Sequence, residues 1–358
     1  MNTLPPVYTS PLTAHPTLPT VLILGANGRL GCAAAQAFSA AGWRVLAQVR
    51  REASADLPAS ASVLRMPLTD PAALAGAAGS ASVVVHAVNP AYTRWDAEAM
   101  PALRAGLAVA EQLGAHFMLP GNVYNFGAGM PPVLKEDTPQ RPTTRKGEIR
   151  VAMEALMAER VAAQTSAGRF TASVVRAGDF FGAGTGNWFD QAIVKSFRSG
   201  KLVYPGPLEV PHAWAYLPDL ARAFVRVAQQ PNKPAFATWH FEGHTLTGAQ
   251  LLNALEEVAR DMHIAPPKGF RRGGMPWGVI AAVGVVVPLW RELARMAYLW
   301  RVPHALDGRR LAALPGAAPG ALPGPTTNVT PLAAALRESL LALALGTGNE
   351  PRPAAVRG

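Results

Sequence analysis

Two groups of residues in this 358-residue chain have types and spacings that could do chemistry. The first is Gly25-Ala26-Asn27-Gly28-Arg29-Leu30-Gly31, a G-x-x-G-x-x-G run. Its first glycine lets the chain turn sharply, and its second lets backbone approach a phosphate with no Cβ in the way. Its third lets a following helix sit close to a sheet. Unpaired N–H groups at the start of that helix, with the helix dipole behind them, suit an anion. The second group is Asn122, Tyr124 and Lys146. A phenol or an ammonium can exchange a proton with a carbonyl or carbinol oxygen, and a side-chain amide can orient a water or the carbonyl itself. Lys146, Arg150 and Glu154 stand at i, i+4 and i+8, so they share one stripe of a helix. On that stripe Arg150 disfavours a second charge on Lys146, desolvation acts the same way, and Glu154 pairs with Arg150. Two blander roles stand beside these, with Lys146 binding a ribose and Tyr124 packing.

Strands must hold these residues. Val21 to Leu24 is a short apolar strand, and Leu30 to Ala41 reads as an Ala-rich helix. Gly42 to Val49 then supplies a second strand. This βαβ context turns the glycine pattern into a dinucleotide-binding fingerprint, to which Gly25, Asn27, Gly28, Arg29, Leu30 and Gly31 are assigned. Where an acid would accept from a ribose 2′-hydroxyl, the chain has Gln48-Val49-Arg50-Arg51. Two guanidinium groups suit a 2′-phosphate, so NADP(H) is favoured over NAD(H); the alternative is a pair of solvated loop arginines. A third strand covers 62–66. Asp70 then caps the next helix and is also placed to approach the adenine amine. Ser82 to Ala87 is an apolar fourth strand, in which His86 reads as a satisfied core histidine. Ala87, Val88 and Asn89 end it on the cofactor side. Tyr92, Arg94 and Trp95 follow on the same rim, as substrate contacts or as a packed loop. A helix over 101–113 and a fifth strand over 115–119 lead to Asn122 and Tyr124. A helix over 146–164 carries Lys146, and a sixth strand over 171–175 leads to Asp179, assigned to substrate.

The expected fold is α/β, a doubly wound parallel Rossmann sheet over 20–182 with a smaller C-terminal α/β substrate lobe. That lobe covers 183–345 and reads as mostly helical, with helices over 188–199, from 214–219 through 227, and over 247–262 and 331–345, short strands over 201–204 and 239–242, and an Ala/Gly/Pro linker at 313–325. Residues 1–19 read as a disordered leader and 346–358 as a tail. With 49% hydrophobic and 16% charged residues, a sizeable core is within reach. The single cysteine, Cys32, excludes an internal disulfide framework and fits a reducing cytoplasm. Net charge is +10 and the pI near 10.2, but the basic residues are scattered arginines with no aromatic-interleaved strip. No nucleic-acid partner and no metal site are therefore expected; an oligomer is possible. The one membrane suspect is Trp277 to Trp290, too short to span; its expected place is a buried element of the second lobe, the alternatives being an amphipathic or interfacial helix and a membrane-associated enzyme that uses it to reach a lipophilic substrate.

These segments together resemble the extended and atypical short-chain dehydrogenase/reductase superfamily, in its NAD-dependent epimerase/dehydratase-like branch, over roughly 20–245. The turn Gly25-x-x-Gly28-x-x-Gly31, the segment Asn122-Val123-Tyr124, the stretch Arg176 to Gly182 and the run Tyr216 to Ala223 carry the resemblance. Such enzymes place Tyr-x-x-x-Lys on the helix after strand five, with Ser or Thr near that strand's end. Here Lys146 stands at the Tyr position, Arg150 at the Lys position and Pro120 at the Ser/Thr position. Isoflavone-reductase-like members use a Lys in a comparable role. The resemblance implies an NAD(P)-dependent oxidoreductase or epimerase acting on a carbonyl or carbinol of a small or sugar-like molecule. The other function consistent with the missing Tyr-x-x-x-Lys is a catalytically reduced NADP(H)-sensing regulator of the same fold.

Overall fold

The computed structural model describes residues 18–164, 170–314 and 329–345. Most of the expected leader and linker, and all of the tail, lie outside the described residues. In chain order the first half runs β1 (Thr20–Leu24), α1 (Arg29–Ala40), β2 (Arg44–Val49), β3 (Ser62–Arg65), α2 (Pro71–Ala78), β4 (Val83–His86), α3 (Trp95–Leu113), β5 (His116–Gly121), β6 (Val133–Leu134), α4 (Arg145–Ala162) and β7 (Thr171–Arg176). Next come β8 (Asp179–Phe181), β9 (Lys201–Tyr204), β10 (Pro211–Tyr216), α5 (Leu217–Ala228), β11 (Phe236–His240), β12 (His244–Thr247) and α6 (Gly248–Asp261). The chain ends with β13 (Arg271–Gly274), α7 (Trp277–Val283), α8 (Pro288–Met296), β14 (Ala305–Leu306), α9 (Arg309–Ala312) and α10 (Leu332–Ala342).

Seven strands form one parallel sheet in the order β11-β7-β5-β4-β1-β2-β3. The central strands β1 and β4 are buried on both faces, as packing between two helix layers requires, whereas the edge strand β3 is largely exposed. Val21 and Ile23 of β1 point into a core shared with α1 and α5, whereas Leu22 and Leu24 point into one shared with α2, α3 and α4. The chain moves outward from β1 through β2 to β3, then returns to the other side of β1 as β4. That reversal opens a crevice at the carboxyl ends of β1 and β4, where ligands of such sheets bind.

Several expectations need correction. The chain cannot be cut at 182, because β11 adds the seventh strand to the main sheet and α5 packs against α1. The lobe is mixed rather than mostly helical: β8, β10 and β12 form a sheet of their own, and β9 pairs with β13. The expected helix over 188–199 is a five-residue π-helix, Phe189–Ile193, followed by a 3-10 turn, Phe197–Ser199. Asp190 and Asn187 accept from the N–H groups of Gly186, Asn187, Phe189 and Asp190, which satisfies the backbone without a longer helix. Helix α3 starts at Trp95, with Pro101 inside it rather than at its start. Residues 277–290 are not a buried element: Ile280 is the one buried residue of α7, while Val285 and Val286 are 76% and 78% exposed. Gly284 is held closely between the backbone of Ile280 and that of Arg291, which folds the stretch into a short hairpin on the surface. Among the described residues no helix is long and apolar enough to cross a membrane.

One polar network crosses the layers beneath the crevice. Arg176, 1% exposed at the end of β7, donates two hydrogen bonds to the Glu154 carboxylate of α4, at 3.1 and 2.5 Å. Its third nitrogen donates to His240 Nε2 of β11, and His240 Nδ1 in turn donates to Leu134 O. Glu154 also accepts from Gln140, and Gln140 from Asn125, so the network ends in the turn after β5. Removing one partner of a buried ion pair leaves the other charge unpaired, at a cost of about 3–5 kcal/mol. Arg176→Met is therefore expected to lower unfolding free energy by about that much. Urea titration followed by circular dichroism measures it, and a loss below about 1 kcal/mol would show the pair to be dispensable.

Candidate active site

The glycine turn is built for close approach. Gly25 has φ +75°, and a Cβ there would meet Val88 at 3.0 Å. Gln48 holds the turn from β2, accepting from Gly25 N, while its amide donates to Met66 O. A Cβ on Gly31 would lie 2.5 Å from Gly25 O, so only glycine lets α1 come this near to β1. Asn27 reaches sideways, donating to Glu52 O and accepting from Ser54 N, and so ties the turn to the loop after β2. Gly28 is the N-cap of α1 and offers no side-chain cap, and the first turn carries no acid. The leading N–H groups thus remain available to an anion. Beside them Arg29 has a buried Nη1 with no partner among the described residues. Burial disfavours its charge, and the Asp190 and Asp179 carboxylates oppose that. A pyrophosphate-bearing dinucleotide fits this cradle: bare N–H groups, absent Cβ atoms and an orphaned guanidinium nitrogen all call for anionic oxygens.

Across the crevice, Asn122 Oδ1 accepts from Tyr124 N and bends the chain after β5 into the short turn Tyr124–Phe126. Thr144 caps α4, and Gly147 lets its first turn press onto Tyr124, since a Cβ there would lie 2.4 Å from Tyr124 O. Lys146, 3% exposed, is thereby carried over the aromatic floor. Its Nζ sits 4.3 Å above the Tyr92 ring and 5.9 Å from the Trp95 ring, and it is ion-paired with Glu292 of α8. The Tyr92 and Tyr124 side chains are neighbours, close enough for each phenol to affect the other's ionisation. Burial, the largest cause, pushes both phenols far above their ordinary range, and the Asp179 charge adds to it. Both are therefore neutral donors. Asp179 accepts at 2.9 Å from Nε2 of His212, whose ring stacks on Trp300 at 4.3 Å.

The structure brings Tyr92, Tyr124, Lys146 and Asp179 together, and sets Gly25, Asn27, Gly28, Arg29, Leu30, Gly31, Ala87 and Val88 along the crevice. Asn122 is engaged by Tyr124 N, so it shapes the turn that presents Tyr124. Arg94 is turned to the surface and pairs with Glu98 at 2.6 Å. Trp95 is not a rim residue but a core one, 5% exposed, because α3 begins with it. Asp70 caps α2, accepting from Ala73 N. Arg50 and Arg51 are exposed just past β2 and have no ion-pair partner among the described residues; the acid that follows, Glu52, pairs with Arg65. Glu154 pairs with Arg176, not Arg150; Arg150 instead donates to Pro120 O and stacks on Trp95. His86 lies in the core, but its Nδ1 has no partner among the described residues. Sequence reasoning missed Glu292 and His212. Glu292 carried a signal, being the one carboxylate among residues 268–301; His212, 33 residues from Asp179, carried none.

Residues 21–238 match the profile of the NAD dependent epimerase/dehydratase family. A search of curated protein sequences found no match. Among solved structures, a UDP-glucose 4-epimerase superposes with TM-score 0.68 at 13% identity, covering 93% of this chain and 100% of its own. MoeE5, solved with UDP-glucose and NAD, gives 0.64 at 17% identity over 91% of this chain and 98% of its own. An L-threonine dehydrogenase from Clostridium difficile gives 0.65 at 17% identity, with 92% and 99% covered. At these identities the likeness shows the fold.

The buried histidines make stability depend on pH. Burial, with Arg150 nearby, pushes His86 down to about 3 from 6.5, and burial pushes His304 down to about 4. A lowered folded value means that protons bind the unfolded chain preferentially. Each histidine's contribution is thus complete above about pH 6.5 and falls by roughly 1.4 kcal/mol per pH unit until its folded value is reached. Urea unfolding at about pH 7.5 and about pH 5.5 is expected to show the lower stability at the acid value. Equal midpoints and slopes at the two would contradict it.

Proposed function

The chain belongs to the NAD dependent epimerase/dehydratase family, a family of enzymes, and from that premise we propose that it is an oxidoreductase or epimerase preferring NADP(H). Its proposed substrate is the carbonyl or carbinol of a sugar-like small molecule, a nucleotide sugar in the first instance, as the ligand of MoeE5 suggests. The observation that carries this reading is the Tyr92–Tyr124 phenol pair beside Lys146, on the rim facing the glycine turn. Bound NADP(H) would supply the hydride acceptor or donor. Tyr124, held as a phenol by burial, can donate to the substrate oxygen and share its proton through Tyr92. Lys146 fixes the ring of Tyr92 from above and offers positive charge to an oxygen gaining electrons. Arg50 and Arg51, free of ion pairs among the described residues and next to the tie between Asn27 and Glu52, support recognition of a 2′-phosphate. The lone cysteine, free and buried, supports a reducing cytoplasm.

One observation favours a second reading. Lys146 is almost wholly covered and already paired, as it would be in a regulator that binds the cofactor without turnover.

NADPH is expected to bind more tightly than NADH by fluorescence titration. Arg50→Ala with Arg51→Ala is expected to remove that preference, roughly tenfold or more, while leaving NADH affinity nearly unchanged. Equal affinities in the unaltered protein would leave the arginines without this role.

Turnover of nucleotide sugars with NADP(H) gives the second test. Tyr124→Phe and Lys146→Met are each expected to lower kcat by about 10²–10⁴-fold, with a smaller change in cofactor affinity. If neither change matters, or no nucleotide sugar or simple carbonyl compound is turned over, the regulatory reading replaces the enzymatic one.

A further inference from the structure

Helices α7 and α8 form a hairpin whose outer side has no covering among the described residues. Ten large hydrophobic residues are exposed among the described residues, and six of them lie here: Val279, Val285, Val286, Val287, Leu289 and Trp290. Their exposures run from 36% to 78%, with Val285 and Val286, at the bend, the highest. A patch of this kind on a folded surface marks a docking site.

Charge selects the occupant. Residues 268–301 contain six exposed cations, namely Lys268, Arg271, Arg272, Arg291, Arg295 and Arg301, of which Arg272 is ion-paired with Glu256. The one carboxylate in the same stretch, Glu292, is turned inward onto Lys146 and also bonded to Arg295, so it offers no free anion. Between the two helices runs a groove floored by Ala281, Gly284, Val285 and Ala294 and edged by Arg291 and Arg295. Guanidinium groups beside an apolar tip, with a tryptophan at the border, match the acyl boundary and phosphate layer of a lipid leaflet. A second copy of the chain would set arginines against arginines across the same patch.

We propose that the α7–α8 hairpin docks on the surface of an anionic phospholipid bilayer, with Val285 and Val286 in the acyl boundary and Arg291 and Arg295 among the phosphates. The hairpin is far too short to span, so the attachment is to one leaflet.

Co-sedimentation of the full chain with unilamellar vesicles tests this. Binding is expected with equal parts of phosphatidylglycerol and phosphatidylcholine, and little with phosphatidylcholine alone. Arg291→Gln with Arg295→Gln is expected to weaken partitioning about fivefold per arginine. Val285→Ser with Val286→Ser, at exposed positions where circular dichroism should remain unchanged, is expected to abolish most binding. The proposal is overturned if the unaltered chain does not bind anionic vesicles, if it binds neutral ones equally, or if the serine variant binds undiminished. It is equally overturned if the serine substitutions dissociate a dimer that itself leaves vesicles unbound.

Discussion

Burying a guanidinium costs least when its donors find acceptors and its charge finds its opposite. Arg176 meets both conditions by drawing on three separate elements: Glu154 from α4, His240 from β11 and the face of Phe126 from the turn after β5. Its demands therefore fix how those elements meet. Once Glu154 is held, the rotation of α4 about its axis is set, and Lys146 lies two turns back along the same stripe. Once Gln140 and Asn125 are bonded in turn, the segment bearing Tyr124 has little freedom left. The positions of Lys146 and Tyr124 can be traced to an ion pair buried beneath the crevice.

Glycine supplies the complementary constraint, which is distance. Gly31 sets how closely α1 approaches β1, and Gly147 sets how closely α4 approaches Tyr124. Neither position has a positive φ; what each requires is the absence of a side chain. The phosphate cradle and the phenol–lysine cluster thus rest on the same device, used on opposite sides of one crevice. The link from sequence to chemistry runs here through backbone-to-backbone contact.

Local signals were legible, and distant pairings were not. The strand, glycine turn and helix at 20–40 follow from neighbouring residues, and so do the caps at Asp70 and Thr247, the latter a full capping box. Tyr92, Tyr124 and Asp179 stand out because each sits at or just beyond a strand's carboxyl end, where parallel sheets gather their ligands, and Lys146 because it shares a helical stripe with Arg150 and Glu154. The partners of the charged stripe were misread, since helical spacing suggested a Glu154–Arg150 pair while the fold offered Glu154 a buried Arg176. Trp95 reads as a loop residue because Pro101 reads as a helix start, yet the chain accommodates that proline within α3. The seventh strand was assigned to the lobe for a similar reason. Nothing within Phe236–His240 tells which sheet edge it will join, and the edge was free only because β7 ended the first half of the chain.

Glu292 reaches Lys146 from a helix that follows it by 146 residues, outside the elements that form the phosphate cradle. In binding terms this carboxylate is a resident competitor, joined covalently to the site it occupies. A tethered group acts at an effective concentration on the order of millimolar, and dilution cannot lower it. A neutral ligand arriving at Lys146 must separate two buried charges and leave one of them behind. A ligand that brings its own carboxylate or phosphate exchanges one anion for another and strands nothing on the lysine. The site therefore sorts incoming molecules by exchange, and a free anion of equal affinity displaces Glu292 by mass action only when its concentration approaches that of the tether.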